Sequence, residues 1–201
     1  MSALSYVHGS HGVPLTELSI GAFLDQVAAS HGHREAVVSF AQGIRWSYSQ
    51  LKQQADHVAA GLLSLGLLPG ERIGIWSPNR AEWTAIQFAS AKAGLILVNI
   101  NPAYRVTELE HVLKASGCKA LFTASRFKSS DYIEMLDSLV ANATQNAGRL
   151  DCARLPELRY IITLDEMVGL NNLTYREILK RGEQLGVNAL ADLSEIGRAH
   201  V

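Results

Sequence analysis

The chain has 201 residues, of which 48% are hydrophobic and 18% are charged, and its formal net charge is -1. This length suits one domain, or one and a half, and lets the chain bury roughly 70% of its unfolded surface without disulfide staples. The even charge balance argues against a general nucleic-acid binder, which needs a clustered excess of lysine and arginine. The longest apolar stretches, such as residues 93–100, fall far short of the roughly 18 residues of a membrane span.

The first third of the chain predicts two helices separated by a hairpin. Residues 18–29 carry apolar side chains at helical spacing, and Gly32 follows where such a helix would stop. Residues 35–40 and 44–48 have extended character on either side of a glycine-containing break, which predicts a hairpin. A strong apolar stripe over residues 47–65 predicts the second helix, with Gly66 as a left-handed cap.

A regular alternation of strands and helices follows. The predicted strands are residues 72–76, 95–99 and 120–123. The helices between them begin at two pairs with capping-box spacing, Asn79 with Glu82 and Thr107 with Glu110. They end at Gly94 and Gly117. Because continuous apolar strands usually lie inside parallel sheets, we expect residues 95–99 to be an interior strand.

The last third of the chain continues this alternation as far as residue 164, and beyond it the pattern is less distinct. Residues 130–140 predict a helix, residues 141–156 a polar surface loop and residues 159–164 a strand. The order of elements predicts an α/β fold with a mostly parallel, doubly wound sheet, flanking helices and an N-terminal hairpin. Beyond residue 164 a further capping box, Thr174 with Glu177, predicts a helix, and no continuation of the sheet is evident.

Motifs that carry chemistry are scarce in this sequence. It contains no P-loop, no GxGxxG after a strand and no GxSxG, and the glycines of residues 66–74 fit a turn into a strand. Four histidines suggest a metal site, but no acidic or cysteine ligand accompanies either pair in a metal-like arrangement, so they are interpreted as solvated loop residues: His8, His11, His31 and His33. His111 fits the polar face of a helix, and Cys118 fits a buried, inert thiol. With Cys152 far from Cys118 in sequence, we predict neither a zinc site nor a disulfide framework.

Residues 99–105, with the sequence NINPAYR, form the most distinctive segment. They end an apolar strand with polar residues, a proline and an aromatic side chain, and such a strand end could line a ligand crevice. A simpler interpretation is favoured on the residues alone. In it Pro102 ends the strand, Tyr104 packs on the edge of the sheet and Arg105 is solvated.

Four blocks in order resemble the start of the AMP-forming acyl-CoA synthetases, in the superfamily of adenylate-forming ligases. The blocks are WSYSQL at residues 46–51, GERIGIWSPN at 70–79, AKAGL at 91–95 and NPAYR at 101–105. The resemblance runs over residues 5–164. The opening LSYVHG at residues 4–9 resembles a mitochondrial subfamily that prefers medium-chain fatty acids.

The resemblance implies an enzyme that condenses a fatty acid with ATP to an acyl-adenylate and diphosphate, then passes the acyl group to CoA. ATP, Mg²⁺ and CoA are implied for such a full-length parent. The family's phosphate loop, acidic Mg²⁺ ligand, ribose-binding aspartate and C-terminal lysine are not found in this sequence. The resemblance therefore assigns no catalytic, cofactor-binding or metal-binding residue, and it implies an N-terminal fragment that is inactive alone. It also implies a mitochondrial location, although no targeting segment is visible.

The resemblance suggests four regions. We expect an irregular leader over residues 1–16, the N-terminal part of an AMP-dependent synthetase domain over 17–165 and a poorly defined continuation over 166–194. Residues 195–201, EIGRAHV, can be encoded by the start of a common sequencing adapter, which predicts a non-native tail. Two alternatives stay open: a natural truncated, noncatalytic interaction module, and a self-contained flavodoxin-like nucleotide-binding domain, which rests on the alternating pattern alone.

Overall fold

The computed structural model describes residues 12, 16–146, 148–165 and 173–186. The helices are α1 (Ile20–His31), α2 (Tyr48–Ser64), α3 (Ala81–Lys92), α4 (Val106–Ser116), α5 (Tyr132–Val140) and α6 (Tyr175–Leu185). The strands are β1 (Glu35–Ser39), β2 (Ile44–Ser47), β3 (Arg72–Trp76), β4 (Ile96–Ile100), β5 (Ala120–Thr123), β6 (Arg126–Phe127), β7 (Ser130–Asp131), β8 (Thr144–Asn146), β9 (Arg149–Asp151), β10 (Tyr160–Thr163) and β11 (Leu173–Thr174). None of the helices in these ranges is long and apolar enough to cross a membrane. The predicted leader lies outside the described residues except for positions 12 and 16, and residues 195–201 lie wholly outside them.

Five strands form one parallel sheet in the order β11-β10-β5-β3-β4. Strand β3 pairs with β4 and β5, and β10 pairs with β5 and β11, all in parallel. Strands β1 and β2 form a separate antiparallel hairpin. The structure therefore confirms the predicted parallel α/β sheet and the N-terminal hairpin.

Helices cover both faces of this sheet. Ile73 and Ile75 of β3 share one buried core with residues of α2, α3 and α6. Trp76, the last residue of β3, lies in a second core with residues of α4 and α5. Because successive side chains of a strand point to opposite faces, one short strand contributes to both cores. This arrangement confirms the doubly wound architecture.

The N-terminal helix adds a further layer over α2 and α3. Leu24 of α1 packs in a small buried cluster with Leu51 of α2. The Lys92 side chain of α3 is only 8% exposed, and its Nζ lies 2.7 Å from Oδ1 of Asp56 on α2 and 2.5 Å from Oδ1 of Asp25 on α1. One buried cation thus joins three helices. Such a network is strongly destabilised when a single partner is removed.

Helices α2 and α6 approach closely where each carries a glycine. A Cβ built on Gly61 of α2 would lie 2.1 Å from the backbone oxygen of Ile178 on α6. A Cβ built on Gly182 of α6 would lie 1.8 Å from the backbone oxygen of His57 on α2. Both distances are far inside van der Waals contact, so the observed separation of the two helices requires glycine at both positions.

Several local predictions are confirmed. The helix ends at Gly66 and Gly117 have φ angles of +77° and +64°, in the left-handed region that favours glycine. At the start of α6 the Glu177 N–H donates to Thr174 Oγ1 at 3.2 Å, and the Thr174 N–H donates to Glu177 Oε2 at 2.7 Å. This reciprocal pair is the capping box that the spacing predicts.

The two earlier capping boxes, Asn79 with Glu82 and Thr107 with Glu110, are wrong. Helix α3 follows Arg80, and α4 follows Arg105. The Glu82 carboxylate accepts hydrogen bonds from the Arg80 guanidinium. The Glu110 carboxylate is held in the same way by Arg154, so neither glutamate turns back to cap its helix.

Three expectations about the sheet and the loops are also wrong. Residues 141–156 contain the hairpin of β8 and β9 and bury Leu150, Cys152 and Leu155, so the segment is not a surface loop throughout. Strand β11 continues the sheet beyond β10, where no continuation was expected. Strand β4, expected in the interior, pairs with β3 alone within the described ranges and lies at the edge of the sheet.

Candidate functional site

The carboxyl edge of the parallel sheet is where the strand order places a candidate site. The chain passes from β3 to β4 on one side and then returns to β5 on the other side of β3. In open α/β sheets, ligands bind outside the carboxyl ends of the strands where the order reverses in this way. The loops that follow β3, β5 and β10 are therefore the first place to look for functional side chains.

A cluster of ion pairs joins these three loops. The Arg80 guanidinium, after β3, lies with Nη1 2.5 Å from Oδ1 of Asp165, after β10. The same guanidinium donates from Nη2 to Glu82 Oε1 at 3.1 Å and from Nε to Glu82 Oε2 at 3.2 Å. The other Asp165 oxygen accepts the backbone N–H of Ser125, after β5, at 2.8 Å. One arginine and two carboxylates therefore hold the carboxyl ends of the central strands in place.

The pKa shifts of the cluster follow from these contacts. Burial disfavours the charge of Arg80, but the hydrogen bonds to Glu82 and Asp165 outweigh it and raise the pKa of the guanidinium. Burial would raise the pKa of each carboxyl, yet the bonds from Arg80 lower the pKa of both Glu82 and Asp165. All three groups are thus charged at neutral pH, and the two carboxylates outnumber the one cation.

Gln42 ties the N-terminal hairpin to the same cluster. It lies between β1 and β2, and its Nε2 donates to Glu82 Oε2 at 2.8 Å. Its Oε1 accepts the backbone N–H of Ala81 at 2.9 Å, at the start of α3. Gln42, which lies 39 residues before Ala81, thus accepts the hydrogen bond from a backbone N–H at the start of α3 that Asn79 was expected to cap.

The distinctive segment at residues 99–105 is fixed by its neighbours. Tyr132 of α5 donates from its hydroxyl to the backbone oxygen of Pro102, and its ring stacks on Trp76 with the centroids 3.6 Å apart. Burial raises the pKa of the Tyr132 hydroxyl to about 12. Tyr104 is partly buried against the same core, and the exposed Arg105 donates to Ser130 Oγ at 2.9 Å. These positions agree with the simpler interpretation of the segment.

A hollow of about 600 Å³ opens beside the carboxyl end of β5. Its lining residues are Ser125, Arg126, Asp131, Ile133, Glu134 and Asp137. Arg126 Nη2 lies 3.6 Å from Oδ2 of Asp131, so the single cation of the lining is already paired. Burial raises the pKa of the Asp137 carboxyl, and the charge of Asp131 adds to this effect. An acidic lining of this kind repels phosphate groups.

The structure does not bring the remaining candidate residues together. His31, His33 and His111 are exposed, while His8 and His11 lie outside the described residues. Cys118 and Cys152 are buried and free, and burial raises the pKa of the Cys118 thiol. Across the described ranges, no three histidine, cysteine, aspartate or glutamate residues are grouped to hold a metal ion. The cluster around Arg80 was not identified from the sequence, because Arg80 and Asp165 are 85 positions apart.

The sequence profile of a family described as AMP-binding enzyme matches residues 24–164. A medium-chain acyl-CoA ligase named ACSF2, mitochondrial, from Macaca fascicularis is 43% identical over 167 residues, which are 82% of this chain and 27% of that protein. The Danio rerio protein of the same name is 36% identical over 95% of this chain and 32% of its own length. The putative acyl-CoA synthetase YngI of Bacillus subtilis is 34% identical over 74% of this chain and 27% of its own length. The chain thus spans about a third or less of the curated relatives it matches.

Solved structures agree with this relationship at the level of the fold. The anthranilate CoA ligase AuaEII, in complex with anthranoyl-AMP, matches with a TM-score of 0.69 at 20% identity, over 84% of this chain and 29% of that one. The N-terminal domain of FACL13 from Mycobacterium tuberculosis matches with a TM-score of 0.65 at 21% identity, over 85% of this chain and 36% of that one. The fold is therefore that of the N-terminal part of adenylate-forming ligases. The chain belongs to the AMP-binding enzyme family.

Proposed function

We propose that this chain is the N-terminal scaffold of a mitochondrial medium-chain fatty acid–CoA ligase. The whole enzyme would join a fatty acid and ATP into an acyl-adenylate, release diphosphate and transfer the acyl group to CoA. The names of the ACSF2 relatives support the substrate class and the location. Their identity over most of this chain supports the assignment of residues 17–165 to the ligase domain. The assignments of residues 1–16, 166–194 and 195–201 remain part of the same proposal.

We also propose that the 201-residue chain does not catalyse adenylation by itself. The main support for this statement is that the Arg80 guanidinium already forms ion pairs with two carboxylates, those of Glu82 and Asp165. Phosphoryl and adenylyl transfer need cations or free N–H groups directed at the phosphate oxygens. The hollow at this edge has an acidic lining and its Arg126 is paired with Asp131, so these residues offer no free cation to the phosphate groups of ATP.

ATP–diphosphate exchange tests this statement directly. The purified chain, incubated with Mg²⁺, labelled diphosphate and a medium-chain fatty acid such as octanoate, should show exchange at the rate of a protein-free blank. A full-length relative assayed in parallel supplies the positive control. Exchange by the 201-residue chain above the blank, dependent on the fatty acid, would refute the proposal of a noncatalytic scaffold.

A nucleotide-binding domain is a second candidate, because the strand order is that of flavodoxin-like folds. Counted from β3, the sheet has the order 2-1-3-4-5, and such sheets bind FMN or similar ligands where the order reverses. The paired arginines and the acidic hollow at that point argue against phosphate binding. Isothermal titration with ATP and with FMN separates the two candidates. Binding of either ligand at micromolar affinity would favour the second.

The gene itself tests the domain assignment. Sequencing the genomic locus and the transcript across the codons for residues 193–201 should show a frame that departs from EIGRAHV and continues into a Ser/Thr/Gly-rich loop. A locus that encodes these residues and then a stop codon would contradict the assignment. The truncated interaction module would then be the better description.

A further inference from the structure

A pocket of about 390 Å³ lies at the amino edge of the sheet, between α4 and the loop of residues 153–158. Helix α4 leads into β5 and the loop leads into β10, so this amino-edge pocket lies beside the first residues of both strands. It is therefore separate from the Arg80 cluster and from the hollow at the carboxyl edge. Its volume is within the range of about 300–1,000 Å³ that small-molecule sites have in proteins.

The floor of the amino-edge pocket is apolar. Leu113 of α4 and Leu155 and Leu158 of the loop line it, and each is only 2% exposed, within the core shared with α5. The other uncharged lining residues, Ala153 and Pro156, are exposed. Because these side chains form no hydrogen bonds with water, an apolar tail that displaces water from them is stabilised by its burial.

The mouth of the pocket carries an excess of positive charge. Lys114 and Arg154 line it and share one carboxylate, since Lys114 Nζ lies 2.6 Å from Glu110 Oε1 and Arg154 Nη2 lies 2.6 Å from Glu110 Oε2. Glu157, the single carboxylate of the lining, pairs with Lys119. These three cations and two carboxylates leave one positive charge, whereas at the carboxyl edge two carboxylates surround one arginine. An ammonium has three N–H donors and Glu110 uses one, so Lys114 has donors for a second anion.

The surroundings of the pocket favour a small molecule over a protein segment. In the described part of the chain, the exposed large apolar side chains lie elsewhere: before and in α1, in the first hairpin, at Leu68, in β4 and at the end of α6. A stable protein interface covers about 800 Å² of each partner. A segment seated here would have to bury the charged rim of Lys114, Arg154 and Glu157 to reach that area.

We propose that the amino-edge pocket binds a monocarboxylate with an apolar tail, such as a medium-chain fatty acid. The tail lies against Leu113, Leu155 and Leu158, and the carboxylate accepts N–H groups of Lys114 at the mouth. A single negative charge matches the single excess positive charge of the mouth, whereas a phosphate dianion would exceed it. The proposal does not rest on the proposed function, because no residue of this pocket belongs to the carboxyl edge.

Isothermal titration of the 201-residue chain with octanoate tests the proposal. We expect one saturable site with a dissociation constant of about 1 mM or lower. Hexanoate is two methylenes shorter and should bind about fifteenfold more weakly, since each buried methylene contributes about fourfold. Octylammonium has the same tail as octanoate and the opposite charge. It should bind at least about tenfold more weakly than octanoate, because Lys114 and Arg154 repel it.

Substitutions at exposed positions locate the site without disturbing the core. Ala153→Phe fills the pocket with a ring and should abolish octanoate binding, whereas Ala29→Phe, on the exposed side of α1, is the matched control. Lys114→Met keeps an apolar stem but removes the charge, so octanoate should bind about tenfold more weakly. Lys180→Met, at an exposed position of α6, should leave binding unchanged.

Each outcome decides the proposal. Saturable octanoate binding that Ala153→Phe abolishes and Lys114→Met weakens supports it. A chain that is folded by circular dichroism and shows no saturable binding up to about 10 mM octanoate overturns it. Binding that Ala153→Phe leaves unchanged also overturns it, because the ligand then lies elsewhere. Equal affinity for octanoate and octylammonium overturns the assignment of a carboxylate.

Discussion

Replacing Gly182 by alanine tests whether the crossing of α2 and α6 depends on the absence of a side chain. The added Cβ would lie 1.8 Å from the backbone oxygen of His57 and 2.6 Å from its carbonyl carbon. Both atoms belong to the backbone of α2 and cannot rotate away. The helices would have to separate by more than about 1 Å before this contact reached an ordinary van der Waals distance.

Two opposing effects set the magnitude. Alanine favours the helical state over glycine by about 1 kcal/mol in a helix interior. Overpacking of a tight contact costs about 1–3 kcal/mol, and here the clash is with backbone, where relief requires a shift of the whole helix. Separation of the helices would also loosen the packing of Ile178, which is fully buried in the core shared with α2 and α3. We expect a net loss of about 2 kcal/mol in the free energy of unfolding.

Urea unfolding followed by far-ultraviolet circular dichroism measures this loss. Gln184→Ala is the matched control, since Gln184 is exposed on the same helix and should change stability by less than about 0.5 kcal/mol. Gly61→Ala should destabilise by a similar amount, because its Cβ would lie 2.1 Å from the Ile178 oxygen. The double variant should lose less than the sum of the two losses, since the first substitution already separates the helices. A Gly182→Ala chain as stable as the parent would refute this account of the crossing.

Three further predictions concern titratable groups. Hydrogen bonds from Arg154 and Lys114 lower the pKa of Glu110 from 4.5 to about 2. The ionised Glu110 carboxylate therefore stabilises the fold fully above pH 4.5, and this stabilisation is lost as the pH falls toward 2. In an NMR titration of Arg154→Ala, the pKa of Glu110 should move back toward 4.5. Tyr132→Phe should lose about 1 kcal/mol at neutral pH, because a backbone oxygen loses its donor. Burial raises the pKa of Tyr132 from 10.0 to about 12, so the parent should lose stability as the pH rises from 10 toward 12, and the phenylalanine variant should lose less in thermal melts over that range. Cys118 and Cys152 are buried, so a disulfide reagent should label them slowly in buffer and fast in urea; fast labelling in buffer would contradict their burial.

Sequence reasoning predicted the elements whose signals are local. The glycines at 66 and 117 ended their helices because the left-handed backbone there is a property of one residue. Strand β3 was predicted at its observed bounds, Arg72–Trp76, because its apolar run lies between a Pro-Gly turn and a Ser-Pro loop. Both signals act within a few residues and do not depend on the rest of the fold.

The two wrong capping boxes were predicted from spacing alone, but the carboxylates of Glu82 and Glu110 each bind an arginine. Thr174 and Glu177 formed their capping box because the described structure gives the Glu177 carboxylate no other partner than Thr174. Glu110 has the same spacing from Thr107 but is bound by Arg154, 44 residues away. Helix α4 begins at Val106, so Thr107 lies inside the helix, and the Arg105 N–H donates to Glu108 Oε2 at 3.1 Å instead. Capping spacing alone therefore does not determine where a helix begins or which glutamate caps it.

The hairpin of β8 and β9 was missed for a different reason. Its segment is polar on average, but Leu150 and Cys152 alternate with exposed residues and are buried. A period of two over three residues is too short to distinguish from chance without the sheet against which it packs. The burial of this segment depends on the core formed by α4 and α5, which the sequence does not place next to it.

The carboxyl edge shows why the fold could be predicted but a site could not. The alternation of strands and helices predicts a parallel sheet. The strand order of the structure fixes which loops meet, and the residues in those loops decide whether a ligand can bind. Here Arg80 meets Asp165 and Glu82, so its positive charge is already paired within the chain. A loop arginine that is free would attract phosphate, whereas one that joins three loops stabilises their arrangement. The pairing of Arg80 therefore supports a scaffold whose chemistry depends on groups from outside the described residues.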